Sequence, residues 1–433
     1  MSQAQFFLLK TRRFLPLFLT QFLGAFNNNV FKNALVILIT YRAAEKISVD
    51  PRLLVTAAAG IFILPFFLFS ATAGQLADKF GKSRLISIIK FVELPLIALA
   101  AAGFMLENYW MLLAMLFFIG TQAAFFGPLK YSILPELLEE DELISGNALI
   151  EAGTFLAILI GTILGGILVL KSGGIMWVSA IMGVAAISGW LASLKIPRVP
   201  AVPSSIVVSP NFIAETWRQA RHAYAEKDVF LSIIGISWFW LVGFTFLAQF
   251  PVYASSMLGA NEQVVTLFLT VFSIGIAIGS LICNKLLKGE VSGVYVPLGA
   301  FGMTAGIFSF WLASPSAVTH ESLIGFLQFM GNVKSWGIIA SLFSIAVFGG
   351  IYIVPLYAIM QTRCAAARRS RTVAVNNIMN ALFMVLGAVI TMILLKLNVG
   401  ITEVFLIIGI VNIPVAFLVR RIVKVRRAAK EKK

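Results

Sequence analysis

Apolar residues run along this chain in long stretches broken only by short polar punctuation, and the pattern recurs from one end to the other. A stretch of about 18 or more mostly apolar residues is the mark of a membrane-spanning helix, because that length crosses the hydrocarbon layer at the helical rise. The pattern predicts spans near 14–40, 53–77, 84–105, 109–133, 144–170, 174–195, 229–255, 262–287, 292–313, 336–361, 372–396 and 400–419. Segments of about ten alternating residues, which a β-barrel needs, are absent. The expected fold is therefore an all-α integral membrane protein with twelve transmembrane helices. Its expected units are a six-helix bundle over 1–197, a linker over 198–228 that holds a short amphipathic piece, a second bundle over 229–419, and a basic tail over 420–433.

Two stretches in the second half echo two in the first. "NALIEA", Asn147 to Ala152, has a counterpart in "NNIMNA", Asn376 to Ala381; "FFGPLKYSILPE", Phe125 to Glu136, has one in "FGGIYIVPLYAIMQ", Phe348 to Gln361. Echoes at matching places in two six-helix halves predict a parallel repeat, with a substrate site between the halves near mid-bilayer.

Composition agrees with a membrane class. Of 433 residues, 59% are hydrophobic and 12% charged, against roughly 25% charged in a soluble domain. The net charge of +15 lies in the connections and does not form a nucleic-acid face. Of 34 lysines and arginines, 25 fall at the termini and in even-numbered loops, six in odd-numbered loops, and three (Lys32, Lys90, Lys130) inside spans. That bias predicts both termini in the cytoplasm. The basic start leads into a span with no small-residue cleavage site, so the first helix is expected to be retained. Two distant cysteines and two histidines offer no disulfide pattern and no metal centre. A phosphate-binding "GxxxxGK[ST]" loop is absent, as is a histidine separated from an aspartate by four residues; after His222 the nearest aspartate is Asp228. An enzyme is therefore not expected, nor any cofactor.

Between spans two and three lies "GQLADKFGKSR", Gly74 to Arg84. Gly74 lets two helices approach closely. Asp78, among Lys79, Lys82 and Arg84, can pair across the halves or cap a neighbouring helix, and Gly81 allows a tight turn. The plain alternative is a solvated basic turn. The loop resembles the signature of the major facilitator superfamily, in which such a pairing gates one conformation. After span eight, "SLICNKLLKG" keeps a degraded copy, with Asn284 where Asp78 aligns.

A closer resemblance lies in "TQFLGAFNNNVFKNALVIL", "GPLKYSILPELLEEDELISGNALIEAGT" and "VPLYAIMQ", which are similar to the bacterial lysophospholipid transporter family. The resemblance implies secondary transport by alternating access, with lysophospholipid moved across the inner membrane, and a monomer. Membrane lipids and a coupling ion are the other expected partners. Family members also occur fused to an acyltransferase and an acyl-carrier synthetase; no fused enzyme is expected after span twelve. The family pattern has an acid where this chain has Asn28, and an arginine near Leu247 or Gln249. Both departures leave an alternative cargo open, a small polar or anionic solute such as a siderophore or metabolite.

Polar residues inside spans supply the candidate site. Gln21, Gly24, Asn28 and Lys32 share one helical face, with Asn29 beside it. An ionisable side chain within a membrane span points to function or to a partner, so Lys32 is expected to line a wet cavity, with snorkelling to the far interface as the alternative. The asparagines either line that cavity or hold helices together. Lys130 and Glu151 are candidates as substrate contacts or as a structural pair, and Glu151 is the candidate proton carrier. Asn147, Asn376, Asn377 and Asn380 are expected to complete the pocket, with Gln249 and Tyr253 facing the first-span stripe. Lys90 and Glu93, three apart, are expected to pair locally.

Overall fold

A computed structural model describes residues 3–42, 51–199, 208–209, 211–315 and 323–422. The tail beyond 422, most of the linker's proline-rich part, and the loop positions Lys46 and His320 lie outside the described residues. Twelve helices are long and apolar enough to cross a membrane. They are α1 (Leu15–Arg42), α2 (Pro51–Lys79), α3 (Lys82–Met105), α4 (Tyr109–Ser132), α5 (Leu143–Val169), α6 (Gly174–Ser193), α7 (Lys227–Val252), α8 (Glu262–Leu287), α9 (Val296–Ala313), α10 (Val333–Arg363), α11 (Arg369–Lys396) and α12 (Ile401–Val419). A shorter helix, Phe212–Ala225, lies between α6 and α7. Twelve spans leave both chain ends on one side, called here the terminal end; the other is the far end.

Local chemistry sets the helix limits. Asn108, Asn261 and Asn332 each accept a backbone N–H in the first turn of α4, α8 and α10, satisfying a donor that the helix start leaves open. Pro65, Pro95, Pro128, Pro251, Pro355 and Pro414 lie inside spans, where a missing N–H bends the helix. Pro128 of α4 and Pro355 of α10 occupy equivalent places in the echoed stretches.

The packing has the expected pseudo-twofold order. α1 packs on α5 as α7 does on α11, α2 on α4 as α8 does on α10, and α3 on α6 as α9 does on α12. Between the halves, α5 meets α8 and α2 meets α11. Small residues bring the backbones together. A Cβ on Gly161 or Gly165 of α5 would lie 2.7 Å from the Phe26 carbonyl oxygen or 2.4 Å from that of Val30 in α1. The apolar core divides unevenly: one buried cluster joins the terminal-end part of the first half to the whole second half, while another is confined to the first half and includes Val30, Leu38, Leu112 and Met182. The halves thus share a core towards the terminal end.

Candidate functional site

The terminal end is locked by contacts between the halves. Gly74 fits where a Cβ would stand 2.8 Å from the Ala374 Cβ and 2.9 Å from the Arg371 Cα, so α2 and α11 touch backbone to backbone. That approach brings Asp78 to the start of α11. One carboxylate oxygen accepts the Ser370 N–H at 2.9 Å; the other accepts the Arg371 N–H at 3.3 Å and its Nε–H at 2.9 Å. Asp78 caps the helix and pairs across the halves at once, the two uses that the motif predicts. Lys82 instead pairs with Glu136. Lys79 and Arg84 are exposed. Gly81 has φ −59° and ψ 118°, a conformation open to any residue, so the turn needs no glycine for its dihedrals.

Deeper in, Asn147 of α5 and Gln361 of α10 form a reciprocal amide pair. The Asn147 Nδ2 donates to Gln361 Oε1 at 2.7 Å, and Gln361 Nε2 donates to Asn147 Oδ1 at 3.0 Å. Asn147, expected in the substrate pocket, is paired here with Gln361 across the halves. Above it the Tyr131 and Tyr357 rings stack at 4.2 Å across the interface. The Tyr131 hydroxyl donates to Glu151 at 2.5 Å, and the Trp240 indole N–H donates to the Tyr357 hydroxyl at 3.1 Å. Phe155 stacks on Trp240 at 5.9 Å. Every cross-half hydrogen bond among the described residues lies in the terminal half.

The far half is different. Lys32 is half-buried, with its ammonium 5.7 Å from the Phe62 ring centroid and no carboxylate partner among the described residues. Asn28, one turn below, is half-buried and makes no side-chain hydrogen bond among them. Gln21 accepts from the Thr154 hydroxyl at 3.0 Å, and its Nε2 is buried without a partner among the described residues. Asn29 donates back to the Ala25 carbonyl at 2.8 Å.

Several expected neighbours are apart. Lys32 lies about 25 Å along α1 from its terminal end, whereas Lys130 is two residues from the end of α4 and sits 4.4 Å over the Tyr131 ring. Lys130 and Glu151 form no ion-pair contact among the described residues; Tyr131 stands between them, its ring under the Lys130 ammonium and its hydroxyl on Glu151. Asn380 accepts from Ser237 at 2.9 Å within the second half. Asn377 packs against Gly127, where a Cβ would lie 2.3 Å from its Nδ2, and Asn376 is buried beside Tyr357. Gln249 faces α11 instead of α1, lining a cavity of about 290 Å³ with Thr245, Thr391 and Met392, and its Oε1 is buried without a hydrogen-bond partner among the described residues. Tyr253 hydrogen-bonds Ser314 at 2.7 Å among second-half aromatics and does not face the first-span stripe.

Among the asparagines of α1, Asn27 has a separate role. It donates to Glu93 at 3.1 Å, as Gln122 does at 3.0 Å, and Lys90 completes the pairing. This buried network joins α1, α3 and α4, confirming the expected Lys90–Glu93 pair. Arg371 and Trp240 lie outside the stretches singled out in the sequence, and Tyr357 and Gln361, though inside one of them, are not among its candidate site residues. The "PL" repeated at Pro128 and Pro355, each followed within three residues by a tyrosine, was the available signal.

Two pseudo-symmetric six-helix bundles, locked together at one end around a polar interior, define a polytopic membrane transporter. The Major Facilitator Superfamily model matches residues 17–332. The chain belongs to that family of secondary transporters, and is not an enzyme. It is 27% identical over 358 residues, 82% of this chain and 81% of the relative, to a lysophospholipid transporter LplT of Serratia proteamaculans. It is 28% identical over 346 residues, 79% of this chain and 78% of the relative, to the LplT of Shigella flexneri. Among solved structures, the human organic anion transporter MFSD10 superposes with a TM-score of 0.74 at 12% identity, covering 94% of this chain and 99% of that one. The transporter FucP in its outward conformation gives 0.69 at 15% identity, covering 94% and 98%. These likenesses establish the fold.

Proposed function

We propose that this protein moves lysophospholipid across the bacterial inner membrane by alternating access, and that the structure is its outward-facing state. The terminal end is the cytoplasmic one, as the lysine and arginine bias implies. The Asp78–Arg371 pair, the Asn147–Gln361 amides and the Tyr131–Tyr357 stack then form a closed cytoplasmic gate below a site open to the far side. The observation that carries the reading is the half-buried Lys32, a cation without a carboxylate partner among the described residues, one turn from the unpaired Asn28. A cation in a low-dielectric setting recognises a phosphate oxygen, and an amide both donates and accepts beside it. The near-full-length relatives named lysophospholipid transporters support that headgroup over other phosphates. Glu151, held by Tyr131 at the gate, is the proposed proton carrier.

The test is thermal stabilisation of the purified protein by a ligand panel. Lysophosphatidylethanolamine is expected to raise Tm in a way that Lys32→Ala abolishes. Stabilisation by small anionic metabolites or ferric chelates, with none by lysolipid, would assign the site to a small anion and overturn the lipid reading.

A further inference from the structure

The helix Phe212–Ala225 has three faces that differ in chemistry. Glu215, Gln219 and Ala223, spaced by four, are buried against the spans. Gln219 donates to the Ala71 carbonyl of α2 at 3.3 Å and to Glu215 at 2.7 Å, so the polar face points inward. Ile213, Trp217 and Tyr224, at spacings of four and seven, are exposed by 68%, 76% and 67%. Arg218, Arg221 and His222 are exposed on the remaining side. At 100° per residue the buried, apolar and basic faces stand roughly 120° apart.

In a soluble protein this helix would be inverted, with its polar face in and its aromatics in water. Its position explains the arrangement. Ala71 is eight residues from the terminal end of α2, about 12 Å along a span that is itself about 43 Å long. A bilayer measures about 40–45 Å with its headgroups and about 30 Å across its hydrocarbon. A helix reaching Ala71 therefore lies at the boundary between headgroups and acyl chains. Tryptophan and tyrosine settle at that depth, and arginines beside them attract anionic lipid.

We propose that Phe212–Ala225 is a membrane-interface helix whose Ile213–Trp217–Tyr224 stripe is seated in the anionic leaflet at the terminal end. It depends on the twelve spans and not on the transported substrate. The same helix touches α2 and α11, the two spans joined by Asp78 and Arg371, so it is a membrane-seated strap across the seam of the halves.

Nitroxides placed singly at 213, 217, 218, 221, 222 and 224, with Cys283 and Cys364 replaced by alanine, would be measured on the full chain in phosphatidylglycerol-containing vesicles. Positions 213, 217 and 224 are expected to be several-fold more accessible to oxygen than to a water-soluble nickel complex, with the ratio reversed at 218, 221 and 222. Replacing phosphatidylglycerol by phosphatidylcholine is expected to raise nickel access at 217 at least twofold. A second measurement keeps the native cysteines: lipids brominated near the headgroup should quench the parent more than Trp217→Phe. Nickel access at 213, 217 and 224 equal to that at 221, or shielding there only after a soluble protein is added, would overturn the proposal. Unchanged access in neutral lipid would overturn its anionic part.

Discussion

Replacing Asp78 by asparagine should open the terminal end. The aspartate side chain is 2% exposed and accepts three hydrogen bonds, one from a guanidinium that is itself 18% exposed. A hydrogen bond to a charged partner contributes about 1.5–3 kcal/mol net, and a helix cap about 1 kcal/mol. Asparagine retains one acceptor and loses the charge. Allowing for the partial exposure of Arg371, the closed arrangement should lose about 2 kcal/mol, which shifts the closed-to-open ratio about 30-fold, since about 1.4 kcal/mol is tenfold. The assay is pulsed-dipolar spectroscopy between nitroxides at the exposed positions Glu139 and Lys285, one on each half at the terminal end. The account expects a new population at longer distance in Asp78→Asn, with slower net transport and nearly unchanged Tm. A distance distribution and transport rate identical to the parent would show that the loop is a solvated basic turn with no gating role.

Lys32→Ala should weaken substrate binding by at least tenfold with little change in Tm, as read by titration calorimetry, because the half-buried lysine has no ion-pair partner among the described residues to leave behind. Asn28→Asp, which restores a negative charge one turn from Lys32, should shift preference towards zwitterionic headgroups in a competition assay. Glu93→Gln should destabilise the protein by about 3–5 kcal/mol, since it leaves the buried Lys90 without a counter-charge; Glu93→Leu with Lys90→Met should recover much of that stability in a detergent melt. Gln361→Ala should likewise open the terminal end in the nitroxide assay, because both amide bonds to Asn147 are lost.

Much of the fold could be read from the sequence because its rules are one-dimensional. Twelve apolar runs become twelve helices, with limits displaced by a few residues where Asn332 or Arg363 extends a helix into polar chain. The Asp78 pairing was legible because glycine and aspartate in one short motif have few other uses. The site was less legible. Helical periodicity puts Asn28 and Lys32 on one face, but it does not say how α1 is rotated against α3, and that rotation sends the adjacent Asn27 into the Glu93 network. Depth misled as well: Lys32 and Lys130 are both lysines in spans, yet they lie at different levels of the bundle because α1 and α4 run in opposite directions. Gln249 and Tyr253 are four apart, but α7 ends at Val252 and Tyr253 opens the wide turn Tyr253–Met257, so their surroundings separate. Asn147 looks like a pocket residue until the reciprocal amide of Gln361, 214 positions away, is placed against it.

The central claim is tested most directly by flux. Purified protein in proteoliposomes, offered labelled lysophosphatidylethanolamine, anionic metabolites and ferric chelates in parallel, should accumulate or translocate the lysolipid, and Lys32→Ala and Asp78→Asn should each slow it. Lysolipid movement no faster than in protein-free vesicles, together with uptake of one of the small anions, would contradict the account.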